Sequence, residues 1–217
     1  MKRKLYVSMM CADFSNLIEL VRKLDLAKID GFHMDIMDGV YVNNFALGSE
    51  DIKAVRKLTR NIVDAHLMVK SPSKVIDIFL NLGLDIIYIH SEVDEDIMPV
   101  LKKISENNIK AGLAINPETE IDEIQHLLPI VDLLLVMTVA PGFAGQSYQE
   151  SVNPKIEELV KLKEFYNYEI FIDGALSPQR ISELSKVGVD GFILGTSSTL
   201  FNSDNNYEKV ISMLQKI

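Results

Sequence analysis

The segment Gly31-Phe32-His33-Met34-Asp35-Ile36-Met37-Asp38-Gly39 is an otherwise apolar run, with the composition of a buried β-strand, that carries an imidazole and two carboxylates. Alternate side chains of a strand point to opposite faces, so His33, Asp35 and Met37 share one face. Polar groups on a buried face need partners, because an unpaired buried charge is strongly destabilising. The rest of the chain should therefore supply side chains that meet His33 and Asp35.

This strand is one of eight short apolar segments, each followed by apolar residues at helical spacing. The predicted strands cover residues 5–8, 31–37, 62–68, 85–90, 110–115, 133–137, 169–173 and 191–194. Eight strand–helix units in 217 residues predict the α/β class and a single (β/α)8 TIM barrel over residues 1–217. A doubly wound open parallel sheet is the alternative that this pattern leaves open.

The composition argues against several classes of protein. No apolar run approaches the length of a membrane span, and a net charge of −9 disfavours nucleic acid as a partner. The single cysteine, Cys11, cannot form an internal disulfide and suits a reducing compartment. We therefore expect a soluble, cytoplasmic protein with no membrane or nucleic-acid partner.

Polar side chains collect at the predicted strand ends, where the active sites of β/α barrels lie. In chain order these ends carry Ser8, His33 with Asp35, His66, His90, Asn116, Thr138, Asp173, and Gly195 with Thr196. His90 is expected to make a supporting hydrogen bond, and Glu92 beside it to lie in a loop. The remaining histidine, His126, falls in a predicted helix and should lie at the surface.

His33, Asp35, His66 and Asp173 belong to strands 2, 3 and 7 and should converge on one point. Two imidazoles and two carboxylates could bind Zn²⁺ or another divalent first-row ion. The same four residues could instead form a buried hydrogen-bond network without a metal, because no short-range motif such as His-x-x-x-His is present. Spacing alone leaves both interpretations open.

Glycine-bearing turns follow three adjacent strands: Pro141-Gly142-Phe143-Ala144-Gly145, Gly174-Ala175 and Gly195-Thr196-Ser197. Such turns let backbone N–H groups approach an anion closely, and the loops after strands 7 and 8 of a barrel commonly bind phosphate. Any one of these glycines could be an ordinary turn residue. Together they predict a phosphorylated small molecule as the ligand.

Three methionines at strand ends, Met37, Met68 and Met137, should face the barrel mouth. Methionine at such a position is normally a packing residue, and spacing alone gives it no other role. Cys11 is likewise expected to be a small buried side chain.

The motifs that carry these residues resemble those of a known family. They are residues 8–13, 33–39, 66–69, 137–146, 173–174 and 195–197, which together span almost the whole chain in order. The sequence is similar to ribulose-phosphate 3-epimerases, a family of isomerases that act on sugar phosphates and form homo-oligomers. The resemblance implies one divalent metal ion per subunit, zinc in first place, with iron, manganese or cobalt as other options.

The resemblance also implies roles for individual positions. His33, Asp35, His66 and Asp173 correspond to the metal ligands, and Asp35 and Asp173 to the catalytic acid/base pair. The implied substrate contacts are Ser8, His66, Met37, Met68 and Met137, with the methionines as an apolar cap over the reacting carbons. The implied phosphate site comprises Gly142, Phe143, Ala144, Gly145, Gly174, Ala175, Gly195, Thr196 and Ser197. Inversion of carbon 3 requires a carboxylate on each face of the sugar, and a divalent ion would stabilise the enediolate.

The sequence departs from the common ribulose-phosphate pattern at several positions. Ala144 stands where glycine is usual, Cys11 where serine is usual, and Tyr6-Val7-Ser8 replaces an Ala-Pro-Ser entry. Asn43 stands where proline is usual, which leaves the rigidity of the loop after strand 2 open but affects none of the proposed ligands.

Cys11 and Ala144, together with residues 195–197 and 200–202, look more like the D-allulose 6-phosphate 3-epimerase branch. We therefore expect D-allulose 6-phosphate as the substrate and D-fructose 6-phosphate as the product, with D-ribulose 5-phosphate as the alternative substrate. A metal-free barrel decarboxylase is disfavoured, because residues 31–39 lack the lysine that those enzymes place there. A non-catalytic sugar-phosphate sensor is the remotest interpretation, because the acid/base pair is intact.

Overall fold

The computed structural model describes residues 3–201 and 206–217. Its eight parallel strands form a closed barrel, in which each strand pairs with its neighbours in sequence and the last pairs with the first. They are β1 (Lys4–Ser8), β2 (Gly31–Met37), β3 (Ile62–Met68), β4 (Ile86–His90), β5 (Lys110–Ile115), β6 (Leu133–Met137), β7 (Glu169–Asp173) and β8 (Gly191–Leu194). The predicted (β/α)8 barrel is confirmed, and the open sheet is wrong because β8 closes onto β1.

A helix follows each strand. The helices are α1 (Leu17–Leu26), α2 (Ser49–Leu58), α3 (Pro72–Phe79), α4 (Met98–Glu106), α5 (Ile121–Ile124), α6 (Asn153–Leu162), α7 (Pro178–Val187) and α8 (Tyr207–Leu214). The fifth helix, α5, is a single turn. Within the described residues, none of these helices is both long and apolar enough to span a bilayer.

The strand beginning at Gly31 separates its two faces as its alternation predicts. Phe32 and Met34 are fully buried in the apolar layer between the barrel and its helices. His33 and Asp35 point to the barrel interior, where they meet side chains from β3 and β7. The polar side chains of this strand therefore point inward, toward the barrel axis.

Aromatic rings and glycines on neighbouring strands fill the barrel beneath its polar end. A Cβ on Gly112 would lie 2.2 Å from the Tyr88 ring, and one on Gly191 would lie 2.2 Å from the Phe171 ring. Both rings are fully buried, and each comes two residues before a polar strand end, His90 or Asp173. The rings therefore form a packed floor under the functional end of the barrel.

Four aspartates clamp the opposite end of the barrel. Each directly precedes an even-numbered strand, and its carboxylate accepts a hydrogen bond from the N–H of the second residue of the preceding strand. The pairs are Asp30 with Leu5 (3.0 Å), Asp85 with Val63 (2.9 Å), Asp132 with Ala111 (2.9 Å) and Asp190 with Ile170 (2.8 Å). The structural repeat is therefore a pair of strand–helix units, which occurs four times around the barrel.

Candidate metal centre and active site

The carboxyl ends of β2, β3 and β7 bring together His33, Asp35, His66 and Asp173, which we call the metal cluster. One potential ligand atom from each residue lies within 4.8 Å of all the others. His33 Nε2 is 3.3 Å from Asp35 Oδ1 and 3.8 Å from Asp173 Oδ2, and His66 Nδ1 is 3.2 Å from Asp35 Oδ1. The pairing of β2 with β3 sets Asp35 directly beside His66. The convergence expected from the strand ends is therefore present.

The metal cluster fits a divalent cation better than a closed hydrogen-bond network. His33 Nε2 is buried and has no hydrogen-bond partner among the described residues, which is costly unless the nitrogen binds something else. Imidazole nitrogens combined with carboxylate oxygens are a donor set that suits zinc, iron, manganese or cobalt. A network without a metal leaves this nitrogen unsatisfied.

Nearby charges outweigh burial at two members of the cluster. Burial alone would raise the pKa of Asp35, but the charge of His33 and the neighbouring His66 ring hold that pKa well below its ordinary value. Burial alone would lower the pKa of His33, but the Asp64 and Asp35 carboxylates raise it well above its ordinary value. Burial lowers the pKa of His66 to about 4, although Asp35 opposes this shift. His66 is therefore neutral at pH 7, the form in which histidine binds metals.

The two cluster carboxylates have pKa values that differ widely. Burial raises the pKa of Asp173 to about 7; the charge of His33 opposes this shift, and the negative charges of Asp35 and Asp64 add to it. A bound cation would lower this pKa. One carboxylate that is readily ionised beside one that holds a proton near neutral pH is the pattern of an acid/base pair.

Asp64 is a residue of this site that sequence reasoning missed. It lies on β3 opposite His33 in the strand register and is fully buried, with Oδ1 2.6 Å from His33 Nδ1. It therefore contacts the ring nitrogen of His33 that is not part of the cluster. The available signal was a carboxylate two residues before His66, on the same face of an otherwise apolar strand.

His90 does not join the metal cluster but supports it, as expected. Its Nε2 lies 2.8 Å from His66 Nε2, and its Nδ1 lies 2.9 Å from Glu92 Oε2 in the loop after β4. His126 is exposed, as expected, although it lies in a turn after α5 rather than in a helix.

A cavity that is partly open to solvent lies over the metal cluster. All three predicted methionines line it, together with Met10, which sequence reasoning missed. Ser8 also lines the cavity and donates a hydrogen bond to Asp35 Oδ2 at 2.9 Å. His66 is fully buried and absent from the described cavity lining, so its contact with a substrate stays a prediction.

Cys11 differs from its expected role as a buried packing residue. It is only partly buried and lines the cavity, because it lies in a short 3-10 turn directly after β1, at the barrel mouth. Burial, aided by the charge of Asp35, raises the pKa of its thiol, so Cys11 is a neutral thiol at pH 7.

The nine residues of the predicted phosphate site all line this cavity: Gly142, Phe143, Ala144, Gly145, Gly174, Ala175, Gly195, Thr196 and Ser197. Gly174 and Ala175 both have positive φ angles, 118° and 47°. A Cβ on Gly174 would lie 2.7 Å from Val139 Cγ2 and 2.9 Å from Thr138 Oγ1. Glycine is therefore required at position 174 by both space and backbone conformation.

Hydrogen bonds hold the loop after β2 on both sides of Asn43. Asp38 Oδ1 accepts hydrogen bonds from the N–H groups of Val40 and Tyr41, and its Oδ2 accepts one from Lys70 N–H. Asn44 Nδ2 donates to Gly142 O at 2.7 Å, which ties this loop to the glycine loop after β6. Asn202, part of the resemblance to the allulose branch, lies outside the described residues.

Comparisons with known proteins identify the family of this chain. A family model described as the ribulose-phosphate 3 epimerase family matches residues 4–200. The chain is 36% identical over 207 residues to the ribulose-phosphate 3-epimerase of Synechocystis sp., covering 94% of this chain and 89% of that protein. It is 33% identical over 211 residues to the Escherichia coli enzyme of the same name, covering 96% and 92%. The Bacillus subtilis enzyme is 32% identical over 197 residues, covering 89% and 91%.

Solved structures with lower sequence identity share the fold. KGPDC from Streptococcus mutans has a TM-score of 0.72 at 15% identity, covering 99% of this chain and 96% of that one. A 3-hexulose-6-phosphate synthase has a TM-score of 0.67 at 17% identity, covering 99% and 98%. At these identities the likeness concerns the barrel alone.

Proposed function

Because the chain belongs to the ribulose-phosphate 3-epimerase family and is therefore an isomerase, we propose that it inverts carbon 3 of a ketose phosphate with the help of a divalent metal ion. The observation that carries this proposal is the metal cluster at the base of a cavity whose wall contains the glycine loops. His33, Asp35, His66 and Asp173 would hold the ion, zinc in first place. When bound, such an ion supplies positive charge that stabilises an enediolate.

Asp35 and Asp173 would transfer the proton. They project from β2 and β7, with β8 and β1 between them, so they approach a sugar in the cavity from different sides. One carboxylate takes the proton from carbon 3, and the electrons of the C–H bond delocalise into the enediolate. The other carboxyl group then returns a proton to the opposite face. The hydrogen bond from Ser8 holds Asp35 in place for this step.

The remaining cavity residues would bind and shield the sugar. Met37, Met68 and Met137 present polarisable apolar surface, which excludes water and donates no competing proton. The backbone N–H groups of the glycine loops would bind the phosphate and hold the sugar in register through remote binding energy.

Two candidate substrates rest on different observations. Cys11 and Ala144, two of the departures from the ribulose-phosphate pattern, both line the cavity, so both are placed to influence which sugar fits. They support D-allulose 6-phosphate as the favoured substrate. The names of the curated relatives support D-ribulose 5-phosphate as the alternative.

Steady-state kinetics on both sugar phosphates would test the proposal, with the enzyme loaded with zinc or manganese. We expect turnover that is lost on chelation, and a higher kcat/KM for D-allulose 6-phosphate. A higher kcat/KM for D-ribulose 5-phosphate would reverse the substrate order. Binding of both sugars without exchange of the carbon 3 proton for solvent deuterium would show a sensor and refute the epimerase.

We also propose that residues 1–217 form a single catalytic domain that works as a cytoplasmic homo-oligomer. The family resemblance supports the oligomer, and the acidic, cysteine-poor composition supports the compartment. Sedimentation equilibrium of the purified chain would test the assembly, and a monomer at micromolar concentration would contradict it.

A further inference from the structure

The ring nitrogen of His66 that points away from the other cluster residues, Nε2, is also within hydrogen-bond distance of a buried side chain. His66 Nε2 lies 2.8 Å from His90 Nε2, and His90 Nδ1 lies 2.9 Å from Glu92 Oε2. Both imidazoles are fully buried, with ring centroids 4.9 Å apart. We call these three side chains the relay, because they link the cluster to the loop after β4.

Glu92 ends the relay purely as a hydrogen-bond acceptor. Its Oε1 accepts from the backbone N–H of Asn116 at 2.7 Å and from the hydroxyl of Thr119. Its Oε2 accepts from His90 and from the hydroxyl of Tyr41, the latter at 3.3 Å. Burial alone would raise the pKa of Glu92, but the hydrogen bonds that it accepts from His90, Asn116 and Thr119 lower it to about 2. Glu92 is therefore ionised at neutral pH.

The charge on Glu92 decides where the protons of the relay lie. Glu92 requires an N–H on His90 Nδ1, so a neutral His90 ring carries its lone pair on Nε2. That lone pair requires an N–H on His66 Nε2, which leaves His66 Nδ1 unprotonated. His66 Nδ1 is the nitrogen that lies 3.2 Å from Asp35 Oδ1 within the metal cluster.

We propose that His90 and Glu92 are positioning residues, which hold His66 in the tautomer whose Nδ1 lone pair faces the metal cluster. This inference rests on the metal-dependent function proposed above. A residue that hydrogen-bonds to the ring nitrogen of a histidine ligand that does not bind the metal fixes the tautomer of that histidine and raises its affinity for the metal. The negative charge that selects this tautomer lies on Glu92, in the loop after β4. The rings of His90 and His66 separate it from the ligand atom, His66 Nδ1.

Glu92→Gln is close to isosteric, but it reverses the direction in which the hydrogen bonds of the relay are donated. The backbone N–H of Asn116 is a fixed donor, so the amide oxygen should face it and the amide NH₂ should face His90 Nδ1. His90 then donates from Nε2 to His66, whose own proton moves to Nδ1, where it blocks a cation. We expect zinc affinity to fall by about 10- to 100-fold.

Competition against a chromophoric chelator measures this zinc affinity on the full chain at pH 7. The matched control is Tyr41→Phe, which removes a hydrogen bond to Glu92 but keeps the carboxylate, and it should bind zinc like the wild type. Unchanged affinity in Glu92→Gln, or an equal loss in Tyr41→Phe, would overturn the proposal. A wild-type chain that binds no zinc would overturn the proposed metal dependence, and this inference with it.

A second measurement does not depend on any variant. Long-range ¹H–¹⁵N spectra of zinc-loaded wild type, labelled at histidine, show which ring nitrogens carry protons and which bind metal. We expect a proton on Nε2 of His66 with zinc on Nδ1, and a proton on Nδ1 of His90. Zinc on Nε2 of His66 would refute the relay, even if Glu92→Gln failed to fold.

Discussion

Replacing Glu92 with glutamine should destabilise the metal-free fold by about 3 kcal/mol at pH 7 and by almost nothing near pH 2. The pKa of Glu92 falls from 4.5, its ordinary value, to about 2 in the fold, and each pKa unit corresponds to about 1.4 kcal/mol. The side chain is only 23% exposed, so solvent screens these interactions weakly. Because the folded pKa lies below the unfolded one, the stabilisation is complete above pH 4.5 and is lost as the pH falls to about 2.

Urea unfolding of wild type and Glu92→Gln at pH 7, 5 and 3, with EDTA present, measures this difference. The chain has no tryptophan, so circular dichroism is the suitable probe. Glu158→Gln, an exposed change on α6, is the matched control and should leave the free energy of unfolding unchanged at each pH. The reasoning fails if the difference between wild type and Glu92→Gln is the same at pH 3 as at pH 7, or is absent at pH 7.

Three further predictions concern the catalytic pair, the phosphate turn and the barrel floor. Asp173→Asn should lower kcat by at least about 100-fold, because one face of the sugar loses its acid/base group, whereas the binding of substrate should persist. Near-normal turnover in a coupled assay would contradict that role. Gly174→Ala should destabilise the fold by about 1–3 kcal/mol, because its Cβ would overlap Val139 and its φ of 118° is strained for alanine. It should also raise KM for the sugar phosphate, and an unchanged KM with an unchanged melting temperature would contradict both effects. Phe171→Ala should cost about 3–5 kcal/mol of stability by opening a cavity beneath the cluster, which chemical unfolding would measure. A loss of stability below about 1 kcal/mol would contradict this prediction and show that neighbouring side chains move in to fill the cavity.

The sequence correctly predicted the barrel and the four cluster residues, because both predictions depend on local periodicity. Alternation along a strand determines which face each side chain occupies, and helical spacing identifies the connecting helices. Once eight such units close into a barrel, their carboxyl ends must meet at one end. His33, Asp35, His66 and Asp173 are thus brought together by topology alone.

Residues whose partners lie on other strands or loops were harder to assign. Asp64 shares the inward face of β3 with His66, but only the register between β2 and β3 places it against His33. Cys11 and Met10 line the cavity because the turn after β1 directs them there, which alternation along a strand does not predict. The role of the four clamping aspartates could not be predicted either, since each accepts its hydrogen bond from a different strand.

The sequence by itself therefore determined the fold class, the inward face of the strand that begins at Gly31, the four residues that could hold a cation, and the glycine turns that line the cavity. Only the tertiary structure decided which atoms meet. Among the described residues, it left His33 Nε2 without a hydrogen-bond partner, and it joined Glu92 through His90 to His66. The physical reason is that periodicity operates over neighbouring residues, whereas a hydrogen bond depends on distances of about 3 Å between segments that only the packing of the whole barrel brings together.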